Sequence, residues 1–370
     1  MATFLRSLVK TWVCFALVFA ALVCLHSLTL GPRKANGTAD RKLRIALFVN
    51  GALGDKSFFD SAAQGLRQAR DSLGVEARVI EGGADPTRWP HALRDIVEGG
   101  EFDMVITGTF TIVPIIEQLA PAFPDTRFIV FDATVNYAKC ACGNVHSMLF
   151  RQNEGAYLAG FLAGKVALAQ AGKETPPRVG VIGGMQIPVI DDFIIGFTAG
   201  AKAASDTIQV TRQYVNSFSD PATAKEIAGA LFKNGARVIF QAAGGSGHGV
   251  VEAAADAQRL VIGVDLDQYA LYKSSSPALA AGILTSVLKN VDVALVRAIQ
   301  AQLAGQLKYG AAETLGLAEK GVSLAEGSPG MRGLSTPLLG EMARVQHEVE
   351  TGRIRVASAF AMAGQAGSPP

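Results

Sequence analysis

From Lys42 onward, short unbroken apolar runs alternate with segments of helix length. Among the runs are LRIALFV (43–49), ARVIEG (77–82), MVITG (104–108), RFIVFD (127–132), VHSMLF (145–150), RVGVIGG (178–184), ARVIFQAAG (236–244), LVIGVD (260–265) and GILTSV (282–287). A strand with one wet face alternates apolar and polar side chains. Most of these runs do not alternate, so both faces are buried. Between them lie amphipathic stretches such as DSAAQGLRQARDSLG and PATAKEIAGALFKNG. Buried strands alternating with helices predict an α/β fold, with parallel sheet covered by helices on both faces.

The pattern repeats once. LRIALFVNGALGDKSFFDSAAQGLRQA and RVGVIGGMQIPVIDDFIIGFTAGAKAA each read as strand, glycine- and acid-bearing loop with an aromatic, then a helix with small residues. They mark the starts of two similar lobes. The expected division is lobe 1 at 43–150 with a return segment near 280–305, and lobe 2 at 151–279 with segment 306–355. A flexible tail is expected at 356–370. The helix EGAYLAGFLAGKVALAQAG follows the first crossover; its Gly and Ala spacing allows close helix contact, and Glu154 and Lys165 bound it.

Residues 1–30 form a separate unit of sequence, followed by the polar linker 31–42. Arg6 and Lys10 precede an uncharged apolar run from Trp12 to Leu25, the layout of an export signal. The segment is read as a cleaved signal, a retained membrane anchor or a lipid-attachment signal at Cys24. All three place the body in the periplasm or on the outer face of the cytoplasmic membrane. With 34 basic against 32 acidic residues the chain carries no charge excess to bind nucleic acid. In an oxidising compartment Cys140 and Cys142 either close a small ring or stay free thiols.

Open parallel sheets bind ligands outside the carboxyl ends of their strands. The loops there are GDKSFFD (54–60), FDATVNYAK (131–139), GGMQIPVIDDF (183–193), QAAGGSGHG (241–249) and GVDLDQYA (263–270). With DKSF (55–58), NVHSMLFRQNEGAYLAGFLAG (144–164), SFSDPATAKEIA (217–228), VIGVDLDQ (261–268) and LTSVLKNVDVAL (284–295), they carry a resemblance in the right order along most of the chain. The chain resembles the BMP family, the basic membrane lipoproteins that serve as substrate-binding proteins of ABC importers, and within it the purine nucleoside receptors.

The resemblance implies a type I periplasmic binding protein: two Rossmann-like lobes, joined by crossovers, around a ligand cleft. It implies a nucleoside-like ligand, an ABC permease as partner and no cofactor. Asp55 and Asp132 match base-side acids, Phe193 a stacking ring, Gly245 the glycine loop, and Asp265 with Lys289 the ribose-binding pair. Charge-assisted hydrogen bonds and ring stacking suit that ligand. The chain departs from the family pattern at Gly54 and Phe59, where Asn is usual, and at Ala63, where a second stacking aromatic is usual. Phe58 and Phe59 are candidate ligand-binding rings, and Phe59 is a candidate replacement for the missing one.

Each residue also has a plainer reading. Asp55 with Ser57 caps the following helix, Phe58 belongs to the core, and Asp132 is a turn residue. Lys289, expected at a helix start, opposes the helix dipole, which favours a ligand role. GGSGHG opens a helix but lacks the dinucleotide spacing and the P-loop lysine. Neither a Ser-His-Asp order nor HExxH is present, so the chain reads as a non-enzyme. The alternatives are a receptor for another aromatic solute such as a flavin, a ligand-sensing module and a nucleoside hydrolase.

Overall fold

A computed structural model describes residues 41–170 and 176–361. The expected export signal and its exit at Cys24 lie outside these residues. Among the described residues twelve strands form two six-stranded sheets. The first contains β1 (Arg44–Val49), β2 (Glu76–Glu81), β3 (Met104–Gly108), β4 (Arg127–Phe131), β5 (Val145–Phe150) and β11 (Ala311–Leu315). The second contains β6 (Arg178–Gly183), β7 (Gln209–Tyr214), β8 (Ala236–Ala242), β9 (Leu260–Asp265), β10 (Ile283–Lys289) and β12 (Val322–Leu324).

The strand orders are β11-β5-β4-β3-β1-β2 and β12-β10-β9-β8-β6-β7, the same path twice. All neighbours are parallel except β12, which runs antiparallel to β10. The apolar runs explain this. Ile45 to Val49, Met104 to Ile106 and Phe128 to Val130 are fully buried, as a strand covered on both faces requires. The two-lobed α/β architecture expected from the sequence is therefore present.

The helix Gln152–Ala169 shows why its small residues recur. A Cβ on Gly160 would stand 2.0 Å from the carbonyl oxygen of Phe197, and one on Gly200 would stand 1.9 Å from that of Tyr157. Helices Gln152–Ala169 and Pro188–Ala204 thus approach backbone to backbone, which a larger side chain forbids. Among the described residues no helix is long and apolar enough to cross a membrane.

The lobe boundaries differ from those expected near the C-terminus. Within 280–305, β10 stays in the second sheet. Only the helix Val291–Leu303 returns to lobe 1, where Asp292 meets Ser61, Gln64 and the backbone beside Gly65. Within 306–355, β11 belongs to the first sheet beside β5, and the chain crosses back at β12. A late apolar strand carries no mark of which sheet it will join, since either edge satisfies its backbone. Residues 356–361, expected to open a flexible tail, are tied to the body. Asn153 donates to the carbonyls of Val356 and Ala357, both at 3.1 Å, and the Ala359 amide donates to Asp192 at 2.9 Å. Cys140 and Cys142 form a disulfide.

Candidate functional site

The carboxyl ends of the two sheets face each other, and the polar residues there meet across the gap. Asp132 directly follows β4 and Asp265 ends β9. Both sit in the left-handed region, with φ of 59° and 64°. That conformation is uncommon outside glycine and costs on the order of 1 kcal/mol or more. Two non-glycine residues holding it at matching strand ends, one per lobe, mark the place where the backbone is bent to aim carboxylates into the cleft.

Each carboxylate has a partner in the other lobe. The Lys289 ammonium forms an ion pair with Asp132, and the Ser57 hydroxyl donates to Asp265. Lys289 is 2% exposed. Its Nζ lies 5.4 Å from the ring centroids of Phe58 and Phe150 and 5.6 Å from that of Phe193, so aromatic faces as well as Asp132 hold the charge. Lys289 is the last residue of β10, two residues before the next helix, and not at the helix start expected. Burial pushes the Asp265 carboxyl up to about 6, against the opposing pull of Lys289 and Ser57. Burial also raises Asp132, despite Lys289.

A further contact closes the rim. Lys56 of lobe 1 places its ammonium 5.0 Å from the ring centroid of Tyr272 in lobe 2, and the Tyr272 hydroxyl bonds to His248 Nδ1. Lys56 too has a positive φ, 48°.

Asp55 is occupied locally. One oxygen accepts from the amides of Ser57 at 3.0 Å and Asp60 at 3.2 Å, the other from Phe59 at 2.9 Å. This satisfies the first amides of the helix Phe58–Leu73 from two residues before its N-cap, Ser57. Burial raises its carboxyl, and the three amides oppose that shift. Phe58 and Phe59 are half-buried and meet edge to face with centroids 5.3 Å apart; Phe59 lies against Gly51.

The expected stacking positions are not at the surface. Phe193 is 2% exposed and packs on Phe240 in the core. Ala63 is fully buried in the inner face of its helix. An exposed aromatic at this carboxyl edge is Phe218, 37% exposed. Its ring covers Gly184, where a Cβ would stand 2.4 Å away, and its carbonyl accepts from the Ser246 amide at 3.0 Å. Gly244, with φ of 55°, makes the turn that brings Gly245 under this loop. SFSDP follows β7 and so lies at a sheet's carboxyl edge. That position is the sequence signal for Phe218.

Two open parallel-sheet lobes of identical strand order, with charged side chains meeting between their carboxyl edges, define a two-lobed solute-binding protein. A solved structure described as an ABC transporter solute-binding protein from Aeropyrum pernix superposes with a TM-score of 0.74 at 25% identity, covering 86% of this chain and 94% of that one. The family model described as ABC transporter substrate-binding protein PnrA-like, Bmp, matches residues 42–335, and the chain belongs to that family. Among its relatives are a protein of Lactococcus lactis named as an ABC transporter nucleoside-binding protein, BmpA, and basic membrane protein D of Borreliella burgdorferi. The first is 32% identical, covering 88% of this chain and 92% of the relative; the second is 29% identical, covering 84% of each.

Proposed function

We propose that this substrate-binding protein captures a purine-type nucleoside between its lobes, outside the cytoplasmic membrane, and presents it to an ABC permease. The observation that carries this is the cross-lobe cluster of Asp132, Lys289, Asp265 and Ser57. It offers two carboxylate acceptors and one ammonium donor, close together, among aromatic rings. Vicinal ribose hydroxyls donate and accept at once, so they match such a set. Phe218, beside Gly245, supplies a stacking face for the base, and Phe59 borders the same cleft. The name of the Lactococcus lactis relative supports the ligand class.

In this reading Asp265 and Lys289 hold the hydroxyls, and Asp132 sets Lys289 and faces the base. Asp55 positions the Ser57 to Phe59 corner through its amide bonds. The ligand replaces the direct bonds between the lobes with bonds through itself. Calorimetric titration with guanosine, inosine and adenosine tests this. At least one should bind, and Asp265→Ala should weaken it by about 1.5–3 kcal/mol, because the ligand's hydroxyls lose a buried charged acceptor. Equal affinities in wild type and variant would remove the cluster from the site.

A further inference from the structure

The charged cluster borders a cavity of about 830 Å³. Asp132 lines it, and so does Phe150, whose ring flanks Lys289. The cavity is therefore continuous with the cleft already described, and a ligand that bonds Asp132 has room to extend into it. Another of its walls is the segment Val349–Phe360, outside residues 42–335 that match the family model. The backbone there is held on both sides of Arg355. The Ile354 amide donates to the Glu348 carbonyl at 2.9 Å, the Val356 and Ala357 carbonyls accept from buried Asn153, and the Ala359 amide donates to buried Asp192.

Most ionisable groups on these walls are engaged. Glu154 accepts from the Leu317 amide at 2.9 Å, Asp192 from that of Ala359, and Glu350 from the Gln346 side chain at 2.8 Å; Arg151 lies 3.7 Å from Glu154 and 3.8 Å from Glu319. Two groups are left. Lys289 takes Oδ1 of Asp132, and Oδ2 accepts no hydrogen bond among the described residues. The Arg355 guanidinium, exposed and lining the cavity, makes neither a hydrogen bond nor an ion pair among the described residues. One wall thus offers a carboxylate acceptor and another a planar donor fork.

A 6-oxopurine carries the complement along one edge: N1–H donates, while O6 and N7 accept. A guanidinium pairs with O6 and N7 through two hydrogen bonds. Adenine places an amino donor where the fork needs an acceptor, and a bare N1 where the carboxylate needs a donor. We infer that Arg355 is a specificity-determining residue of the cleft, selecting 6-oxopurine nucleosides such as inosine and guanosine over adenosine. Asp132 takes N1–H, and Arg355 takes O6 and N7. This rests on the nucleoside reading above and adds which purines the cleft accepts, through a segment beyond the family match.

Inosine and adenosine, titrated into the full chain by calorimetry, test it. Wild type should bind inosine at least tenfold more tightly than adenosine. Arg355→Ala should reduce that preference to about twofold or less. Arg355→Lys keeps the charge without the fork, so it should lose most of the preference too. Both variants should melt with wild type, since the guanidinium bonds no other described residue, and the change then reports on binding. Equal wild-type affinities for the two nucleosides, a preference that survives in Arg355→Ala, or a lysine variant as selective as wild type would each overturn the inference and leave nucleoside capture standing. If wild type binds neither of them, nor guanosine, the proposed function falls and this selection falls with it.

Discussion

Asp265 carries two opposed tendencies that a pH series separates. Its folded carboxyl titrates at about 6, above the ordinary value of 3.8, because burial disfavours its charge. Between those values the folded state holds the proton more tightly than the unfolded state. Stability from this group is therefore full below the ordinary value and is lost as pH rises through about 6. The gap corresponds to about 3 kcal/mol at most. Asp265→Asn should accordingly raise the melting temperature at pH 7.5 and change it little at pH 4, as thermal unfolding at the two pH values would show. Ligand binding should run the other way. Hydroxyls need the ionised acceptor, so wild-type nucleoside affinity should fall as pH drops below about 6, a titration that Asp265→Asn abolishes. A wild-type affinity flat from pH 5 to 8 would contradict this.

At the scale of elements, the helix Phe58–Leu73 and the loop after β7 divide capping from stacking. Asp55 satisfies three amides at that helix's start, so Asp55→Ala should cost about 1 kcal/mol or somewhat more and lower the melting temperature, with ligand affinity changing mainly through the displaced Ser57. Phe218→Ala removes an exposed ring, so its melting temperature should stay near wild type while affinity falls about tenfold, the worth of one stacked base. Phe193→Ala should do the reverse, losing about 3–5 kcal/mol of stability from a buried ring. Paired measurements of melting temperature and dissociation constant on the three variants check the division. The strands were legible because unbroken apolar runs admit few alternatives. Asp132 and Asp265 are legible as strand-end residues with family counterparts, and Lys289 through its family counterpart alone. The choice between Phe193 and Phe218 was not. Both follow strand carboxyl ends, and the packing of Phe193 on Phe240 decides which ring is buried. Lys289 reads as a helix start because the strand GILTSV gives no sign of running two residues further.

Over the whole molecule, the lobes close on each other through side chains that a ligand would also use. Ser57 with Asp265, Lys289 with Asp132 and Lys56 with Tyr272 each join one lobe to the other. A ligand entering the cleft displaces at least the first contact, so its net affinity is what remains after that exchange. A hydroxyl bonded to a buried carboxylate contributes about 1.5–3 kcal/mol, enough to shift a two-state opening equilibrium by tenfold or more. Removing it leaves the ligand-free protein freer to open. A ligand that bonds Asp265 itself restores closure. Ser57→Ala should therefore show a larger radius of gyration than wild type in small-angle X-ray scattering without ligand, and the two should coincide once guanosine is saturating. Its guanosine affinity should be reduced less than that of Asp265→Ala, since the ligand supplies the donor that Ser57 no longer provides. If the ligand-free radii of Ser57→Ala and wild type agree within error, this hydroxyl does not hold the lobes together, and closure must rest on Lys289 with Asp132 and on Lys56 with Tyr272. The double variant Lys56→Ala/Tyr272→Ala would then have to open the ligand-free protein while leaving the charged cluster intact.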